Sequence, residues 1–332
     1  MSTISRRRLL QISGSIGAGL AMPAVLSRAA FAADAFASKP VTILCHTAPG
    51  SAADTYARQV AAALEPEIGQ TVVVENRVGG NGMVQMAALK SAKPDGNTLG
   101  VNTISHLSIL HGAGAGTFAE SDFSWVVRVQ TEGFFTVVRT DAPWQTLGDF
   151  VQAARTASPL LNIGGQGAPG SAHNIHINML AQAGGFKFNW IPFPGGMEHL
   201  TALLGGSIEA TSNNPQTVVQ FNEAGRLRLL GFQGAERNPS FPDVPTYREA
   251  GFDVDPSWQQ VRGLIGPAGI PEELQQRIAE ALRNATEKSE TWQKYMALSS
   301  LSPGYMGPAE YRDYITRQSQ VTLDWMKKLG LA

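Results

Sequence analysis

The chain has one cysteine in 332 residues, Cys45, set in the apolar run Val41-Thr42-Ile43-Leu44-Cys45. An internal disulfide is therefore excluded, and a buried core thiol is expected. It also lacks a surplus of positive charge: Lys and Arg number 26, Asp and Glu 27. Nucleic acid and anionic membrane surfaces are held by clustered basic residues, so neither is expected as a partner. Several catalytic signatures are missing. The chain has no Gly-x-Ser-x-Gly elbow, no His-Glu-x-x-His, no cysteine cluster and no Gly-Lys-Ser/Thr phosphate loop. No metal and no cofactor is expected. His173 and His176 are spaced to share one face of a helix, but a pair of imidazoles without a third ligand is a weak metal site.

No stretch of about 20 strongly apolar residues, the length a spanning helix needs, is present. The nearest, Leu9 to Leu26, is diluted by Gly14, Gly17 and Gly19. It follows Arg6-Arg7-Arg8 and precedes Ala30-Phe31-Ala32. A charged start, a weakly apolar middle and a small-residue A-x-A site have the layout of a secretory signal peptide over residues 1–32. The arginine pair favours the twin-arginine route, with cleavage near Ala32 and a periplasmic destination. The leader holds four of the basic residues (Arg6, Arg7, Arg8, Arg28) and no acidic one. The mature chain thus has 26 − 4 = 22 basic against 27 acidic side chains.

What is present is an alternation of β-rich runs with helical patterns. Strands are read at Val41–Cys45, Thr71–Glu75, Thr98–Val101, Leu160–Ile163, Asn189–Pro192, Ile208–Thr211 and Leu227–Phe232. Helices fall between most of them, and Val126–Arg139 reads as one long β-rich run. Such alternation predicts an α/β fold with parallel strands and crossover helices. After Val261–Ile265 the tail reads as helical, over Pro271–Ala285, Ser289–Leu298 and Pro308–Lys328.

Glycine and proline collect where strands end. Thr47-Ala48-Pro49-Gly50-Ser51-Ala52-Ala53-Asp54 leads from the first strand into the first helix. Gly164 to His173, with Gly167-Ala168-Pro169-Gly170-Ser171 at its centre, has the same design. A helix start offers unpaired N–H groups and a partial positive charge, and small residues let a ligand approach the backbone. In open α/β sheets, ligands bind beyond the carboxyl ends of the strands. The candidate ligand-binding residues are Ala48, Pro49, Gly50, Ser51, Thr103 on the next βα loop, Gly167, Ala168, Pro169, Gly170, Ser171, His173 and Phe193; the alternative is two ordinary βα loops, with Phe193 in core or hinge packing. Asp54 lies in the first turn, where the helix dipole alone favours a carboxylate, so its role reads equally as structural. Ser171 and His173 stand two apart and point to different faces, which argues against an exported hydrolase.

The chain resembles the Bug-type substrate-binding proteins of tripartite tricarboxylate transporters. The likeness covers nearly all of the mature chain. Ala48-Pro49-Gly50 with Asp54, Ala57 and Arg58 is similar to the family's Pro-Gly-Gly-x-x-Asp-x-x-Ala-Arg. Further segments are Val74-Glu75-Asn76-Arg77, Lys93-Pro94-Asp95-Gly96-Asn97-Thr98-Leu99, Ile191-Pro192-Phe193-Pro194-Gly195-Gly196 and Leu203-Leu204-Gly205-Gly206. Ala224-Gly225-Arg226-Leu227-Arg228, Pro242-Asp243-Val244-Pro245-Thr246 and Gly266-Pro267-Ala268-Gly269-Ile270-Pro271 complete the set. The resemblance implies a two-lobed periplasmic binding protein fold of type II-like wiring, each lobe a mixed sheet flanked by helices, with a hinge of two crossing strands. By that analogy lobe 1 is discontinuous, residues 39–139 plus 257–332, and lobe 2 is 140–256. It implies a binding protein and not an enzyme, a monomer, that closes on a small carboxylated solute and passes it to membrane permease subunits. A ligand-sensing subunit for a signalling receptor is the alternative on the same fold. Four residues depart from the family pattern: Ser51 replaces a glycine, His46 an aromatic or apolar residue, Pro194 stands at a position often held by lysine, and Pro169 stiffens a stretch more often rich in glycine or serine.

Overall fold

The two Ser–Gly punctuated helices establish the architecture. In the computed structural model, which describes residues 36–332, Val41–Cys45 (β1) enters the helix Ala52–Ile68 (α1) through the first proline–glycine loop. The expected leader lies outside the described residues. Ser51 caps α1, Gly69 ends it in the left-handed region (φ 64°), and Tyr56, Val60, Ala63 and Leu64 form its buried stripe. In the second half Asn162–Gln166 (β6) enters the helix Ala172–Gly184 (α5). That helix is capped by Ser171 and ended by Gly185 at φ 66°.

The strands between and around these are Val72–Asn76 (β2), Thr98–Asn102 (β3), Phe123–Glu132 (β4), Phe134–Arg139 (β5), Asn189–Phe193 (β7), Ala210–Asn213 (β8), Leu227–Gln233 (β9), Gln260–Pro267 (β10) and Ser302–Met306 (β11). The helices are Met83–Lys90 (α2), Ser105–His111 (α3), Leu147–Thr156 (α4), Gly196–Leu204 (α6), Pro215–Glu223 (α7), Glu272–Lys288 (α8), Glu290–Leu298 (α9) and Pro308–Lys328 (α10). One sheet has the order β11-β4-β10-β3-β1-β2, the other β7-β6-β8-β5-β9. Each contains a parallel trio, β2-β1-β3 or β7-β6-β8, followed by an antiparallel strand from elsewhere in the chain, β10 or β5. The two lobes thus share one wiring, and the α/β two-lobed expectation is met. Parallel strands end at a common edge, so the loops after β1 and β3 open on one edge of the first sheet. Those after β6 and β8 open on one edge of the second.

Three sequence expectations change. The run Val126–Arg139 is two strands: β4 pairs in the first sheet, while β5 pairs with β8 and β9 in the second. Residues 134–139 therefore pair in the second sheet. The break is Gly133, where a side chain would meet the Phe232 ring at 2.3 Å and the Gln233 carbonyl at 2.4 Å. The tail is not purely helical, because Ser302–Met306 adds an edge strand on β4. Pro303 and Gly304 hide it from any propensity argument, and both are tolerated at a sheet edge. The seven-residue α3 was too short for a periodicity to register.

Where the chain crosses between sheets it buries an ion pair. Glu132 ends β4 one residue before the Gly133 break, and Arg262 lies near the start of β10. Arg262 Nε donates to Glu132 Oε1 at 2.7 Å, with side-chain exposures of 4 % and 0 %. Gln130 Nε2 donates to the same oxygen at 2.7 Å. A buried pair of this kind stabilises little relative to apolar residues, but losing one member leaves an uncompensated charge, which costs about 3–5 kcal/mol. Glu132→Leu should therefore lower the urea-unfolding free energy by about that amount, and the double change Glu132→Leu with Arg262→Leu should recover most of it. A single variant as stable as the parent would show that the pair does not hold the crossing.

Candidate functional site

The two loops named from sequence are built alike. Residues Ala48-Pro49-Gly50-Ser51-Ala52 and Ala168-Pro169-Gly170-Ser171-Ala172 are identical in type. Gly50 and Gly170 adopt φ of 82° and 84°, a region glycine enters without a Cβ penalty. Ser51 and Ser171 follow in extended conformation (φ −70°, ψ 165° and φ −65°, ψ 163°). Ser51 N donates to Ala48 O at 3.2 Å and Ser171 N to Ala168 O at 3.0 Å. Each glycine N–H is taken by a side chain four residues on: Gly50 N by Asp54 Oδ2 at 2.8 Å, Gly170 N by Asn174 Oδ1 at 2.9 Å. The preceding carbonyls are matched as well. Asn76 Nδ2 donates to Thr47 O at 2.9 Å, and Trp190 Nε1 to Gly167 O at 3.0 Å.

This bonding decides which donors remain. The N–H groups of Gly50, Ser51, Gly170 and Ser171 are spent inside the loops. Those of Ala52 and Ala53, and of Ala172 and His173, have no partner among the described residues. They are the first two positions of each helix, where unpaired donors and the positive end of the dipole coincide. The serine hydroxyls are partly committed. Ser51 Oγ accepts from Asp54 N at 3.3 Å and lies 2.5 Å from Thr47 Oγ1, while Ser171 Oγ accepts from Asn174 N at 3.4 Å. Ala48, Pro49, Ala168 and Pro169 are exposed. Gly170 is buried, and a side chain there would meet Met326 Sδ of α10 at 2.6 Å and Leu331, beyond that helix, at 3.0 Å.

The loops differ in charge. Asp54, 2 % exposed, takes two bonds from Arg58, at 2.9 and 3.0 Å, and one from Asn76 Nδ2 at 2.8 Å. Burial pushes its pKa up, but Arg58, the Gly50 N–H and Asn76 outweigh it and hold the carboxyl below its usual range. At the matching place Asn174 is neutral. Asp54 is thus a loop brace, the structural option of the sequence reading.

Thr103 is buried and tied to its neighbour His106, whose Nδ1 accepts from Thr103 N at 3.2 Å. The adjoining helix start is already occupied, since Ile104 N donates to Gln260 Oε1 at 3.2 Å. His173 is buried, with Nδ1 3.0 Å from Ser212 O, so it and the Ser171 hydroxyl serve different partners, not each other. His176 sits in a separate chain of bonds to Ser212 Oγ at 2.8 Å and Tyr247 OH at 2.5 Å. Among the described residues no group of three or more His, Cys, Asp or Glu is placed to hold a metal. Half-buried Phe193 lies edge-on to His199, which in turn neighbours His173. Sequence reasoning missed His199, Asn213 and Asn214, which gather beside His173 at the end of β8. It also read no Gly-x-Gly-x-x-Gly before a helix, yet Gly165-x-Gly167-x-x-Gly170 has that spacing, the spacing of a dinucleotide turn, and precedes α5. Here the third glycine lies under α10 instead of facing a pyrophosphate. A hollow lined by Gln233, Arg237, Thr246 and Glu249 shares no residue with either loop.

Five histidines are kept neutral by burial. Burial drives His106 and His199 down to about 4 and His173 to about 3, and holds His46 and His176 well below 6.5. Unfolded histidine takes up its proton near 6.5 and the folded rings do not, so the unfolded state binds more protons as pH falls. The melting temperature should be level above about pH 7 and drop steadily from pH 6.5 to pH 4. A profile flat down to pH 4 would contradict the neutral buried rings.

The chain is similar to known proteins over most of its length. Residues 56–331 match the tripartite tricarboxylate transporter family receptor, TctC. A Cupriavidus necator relative, described as the UPF0065 protein in the gbd 5' region, is 27 % identical over 331 residues, covering 99 % of each chain. A TctC solute-binding protein from Polaromonas, solved without ligand, superposes with a TM-score of 0.73 at 25 % identity, covering 88 % of this chain and 99 % of that one. Rpa4515 of R. palustris, solved with adipate, superposes at 0.75 with 21 % identity, covering 90 % and 99 %. The chain belongs to the tripartite tricarboxylate transporter receptor family.

Proposed function

We propose that this chain is an extracytoplasmic solute-binding protein that captures a small carboxylated solute between its lobes and hands it to a tripartite permease. One observation carries the reading. Two loops of identical composition and conformation, one on each sheet, leave two unpaired helix-start N–H groups apiece. A carboxylate is acceptor-only, so it suits such a donor set, and the helix dipoles add to the attraction. Family membership supports the same class of ligand and the permease partner, as does the adipate held by Rpa4515. The mildly acidic mature chain fits recognition by local dipoles in place of a broad positive field.

The chain's two crossings, at Gly133 and between β9 and β10, would serve as the hinge. Closure about two such segments is a recurrent way for two-lobed proteins to bury a ligand. Each charge-assisted hydrogen bond is worth roughly 1.5–3 kcal/mol net. Three or four of them, less the cost of association, correspond to about micromolar affinity.

Calorimetric titration of the mature protein should detect binding among mono-, di- and tricarboxylates and aromatic acids, and none with neutral sugars or cationic amines. Gly50→Val should weaken that binding by roughly tenfold. A β-branched residue is strained at φ 82°, while the space around this glycine is open, so the loop and not the core is disturbed. Binding of sugars or amines in place of acids would end the proposal.

A further inference from the structure

At the end of β8 the chain buries more polar atoms than it pairs. His199 Nε2 lies 2.7 Å from Asn213 Oδ1, which Thr217 Oγ1 also approaches at 3.1 Å. His199 is 1 % exposed and Asn213 0 %, yet His199 Nδ1 and Asn213 Nδ2 have no partner. The neighbouring His173 and Asn214 also carry unpartnered nitrogens, Nε2 and Nδ2. Those two are close enough for the Asn214 amide to hydrogen-bond the ring, so they can satisfy each other.

His199 and Asn213 have no such remedy. As the amide stands, Asn213 Oδ1 accepts and His199 Nε2 donates. A neutral ring with Nε2 protonated leaves Nδ1 as a bare acceptor, and Asn213 Nδ2 is left as a donor. If the amide is turned over, Nδ2 donates to Nε2. Nδ1 then carries the hydrogen and is left as a donor, and Oδ1 is left as an acceptor. Either way one donor and one acceptor remain inside the fold, where each unpaired group is costly. A carboxylate can answer only the donor, and an ammonium only the acceptor. A hydroxyl or a carboxamide answers both.

The pair lies beside the helix that the second loop starts. The His199 ring is 5.9 Å, centroid to centroid, from that of His173, whose backbone N–H is one of the free helix-start donors. Phe193 and Phe134 flank the two rings, at 6.2 and 5.1 Å. Apolar walls around a few fixed polar atoms are the usual make-up of a small-molecule subsite.

We propose that His199 and Asn213 read the far end of the solute, and that this solute is a carboxylic acid carrying a neutral group that both donates and accepts. The assignment rests on the carboxylate reading given above. Burial keeps the His199 ring neutral at pH 7, so it does not become a cation for a second carboxylate.

The test is calorimetry at pH 7 with four straight-chain acids of matched length: the plain monoacid, the terminal hydroxy acid, the half-amide and the diacid. The hydroxy acid and half-amide should bind at least about tenfold tighter than the monoacid and the diacid. Within each of the variants His199→Leu and Asn213→Leu, the hydroxy acid and half-amide should bind within about twofold of the monoacid, so that the advantage is lost. If the monoacid or the diacid binds the parent as tightly as the hydroxy acid, the pair holds only a buried water and the proposal is wrong. Should a variant fail to fold, the parent's ranking decides alone. Absence of binding by every acid would overturn the carboxylate reading itself, whereas binding without the ranking would overturn only this assignment.

Discussion

A helix that begins where a buried strand ends has N–H groups that the chain itself cannot pair. In this protein two such starts, at Ala52 and Ala172, determine how the surrounding residues are spent. Glycine at φ 82° and 84° turns the backbone, serine caps the third residue of the helix, and a side chain four residues on ties the glycine N–H back. All of these bonds hold the loop rigid without consuming the donors at the first two helical positions. Preorganised donors bind an anion without first having to be ordered.

The two halves then diverge in electrostatics. Asp54 with Arg58 makes the first loop a charged brace, and Asn174 makes the second a neutral one. A carboxylate buried beside a helix start competes with an anionic ligand for the same dipole, and Arg58 offsets that competition. The second loop has no such conflict and lies beside the His173, His199, Asn213 and Asn214 cluster. The lobes are therefore matched in backbone and unequal in side-chain chemistry, as expected if the two ends of one solute differ.

Much of this was legible in the chain, because strand–helix alternation and glycine placement are local signals. The two loops could be located from composition alone, and the roles of Pro49, Gly50, Pro169 and Gly170 as turn formers follow from their dihedral preferences. The spending of the Ser51 and Gly50 donors inside the loop could not be foreseen, since it depends on where Asp54 and Thr47 point. Long-range pairs were beyond reach. Glu132 and Arg262 are 130 residues apart and meet only because β4 and β10 are neighbours in the sheet. His199 and Asn213 meet because α6 packs its first turn on the end of β8. The division of Val126–Arg139 between two sheets turns on one glycine within an otherwise continuous β pattern.

The most direct test is a crystal structure of the mature protein with a bound acid. One carboxylate should lie within about 3 Å of the N–H groups of Ala52 and Ala53 or of Ala172 and His173, with both lobes touching the solute. An acid held by one lobe alone, or seated in the hollow lined by Gln233, Arg237, Thr246 and Glu249, would contradict the account.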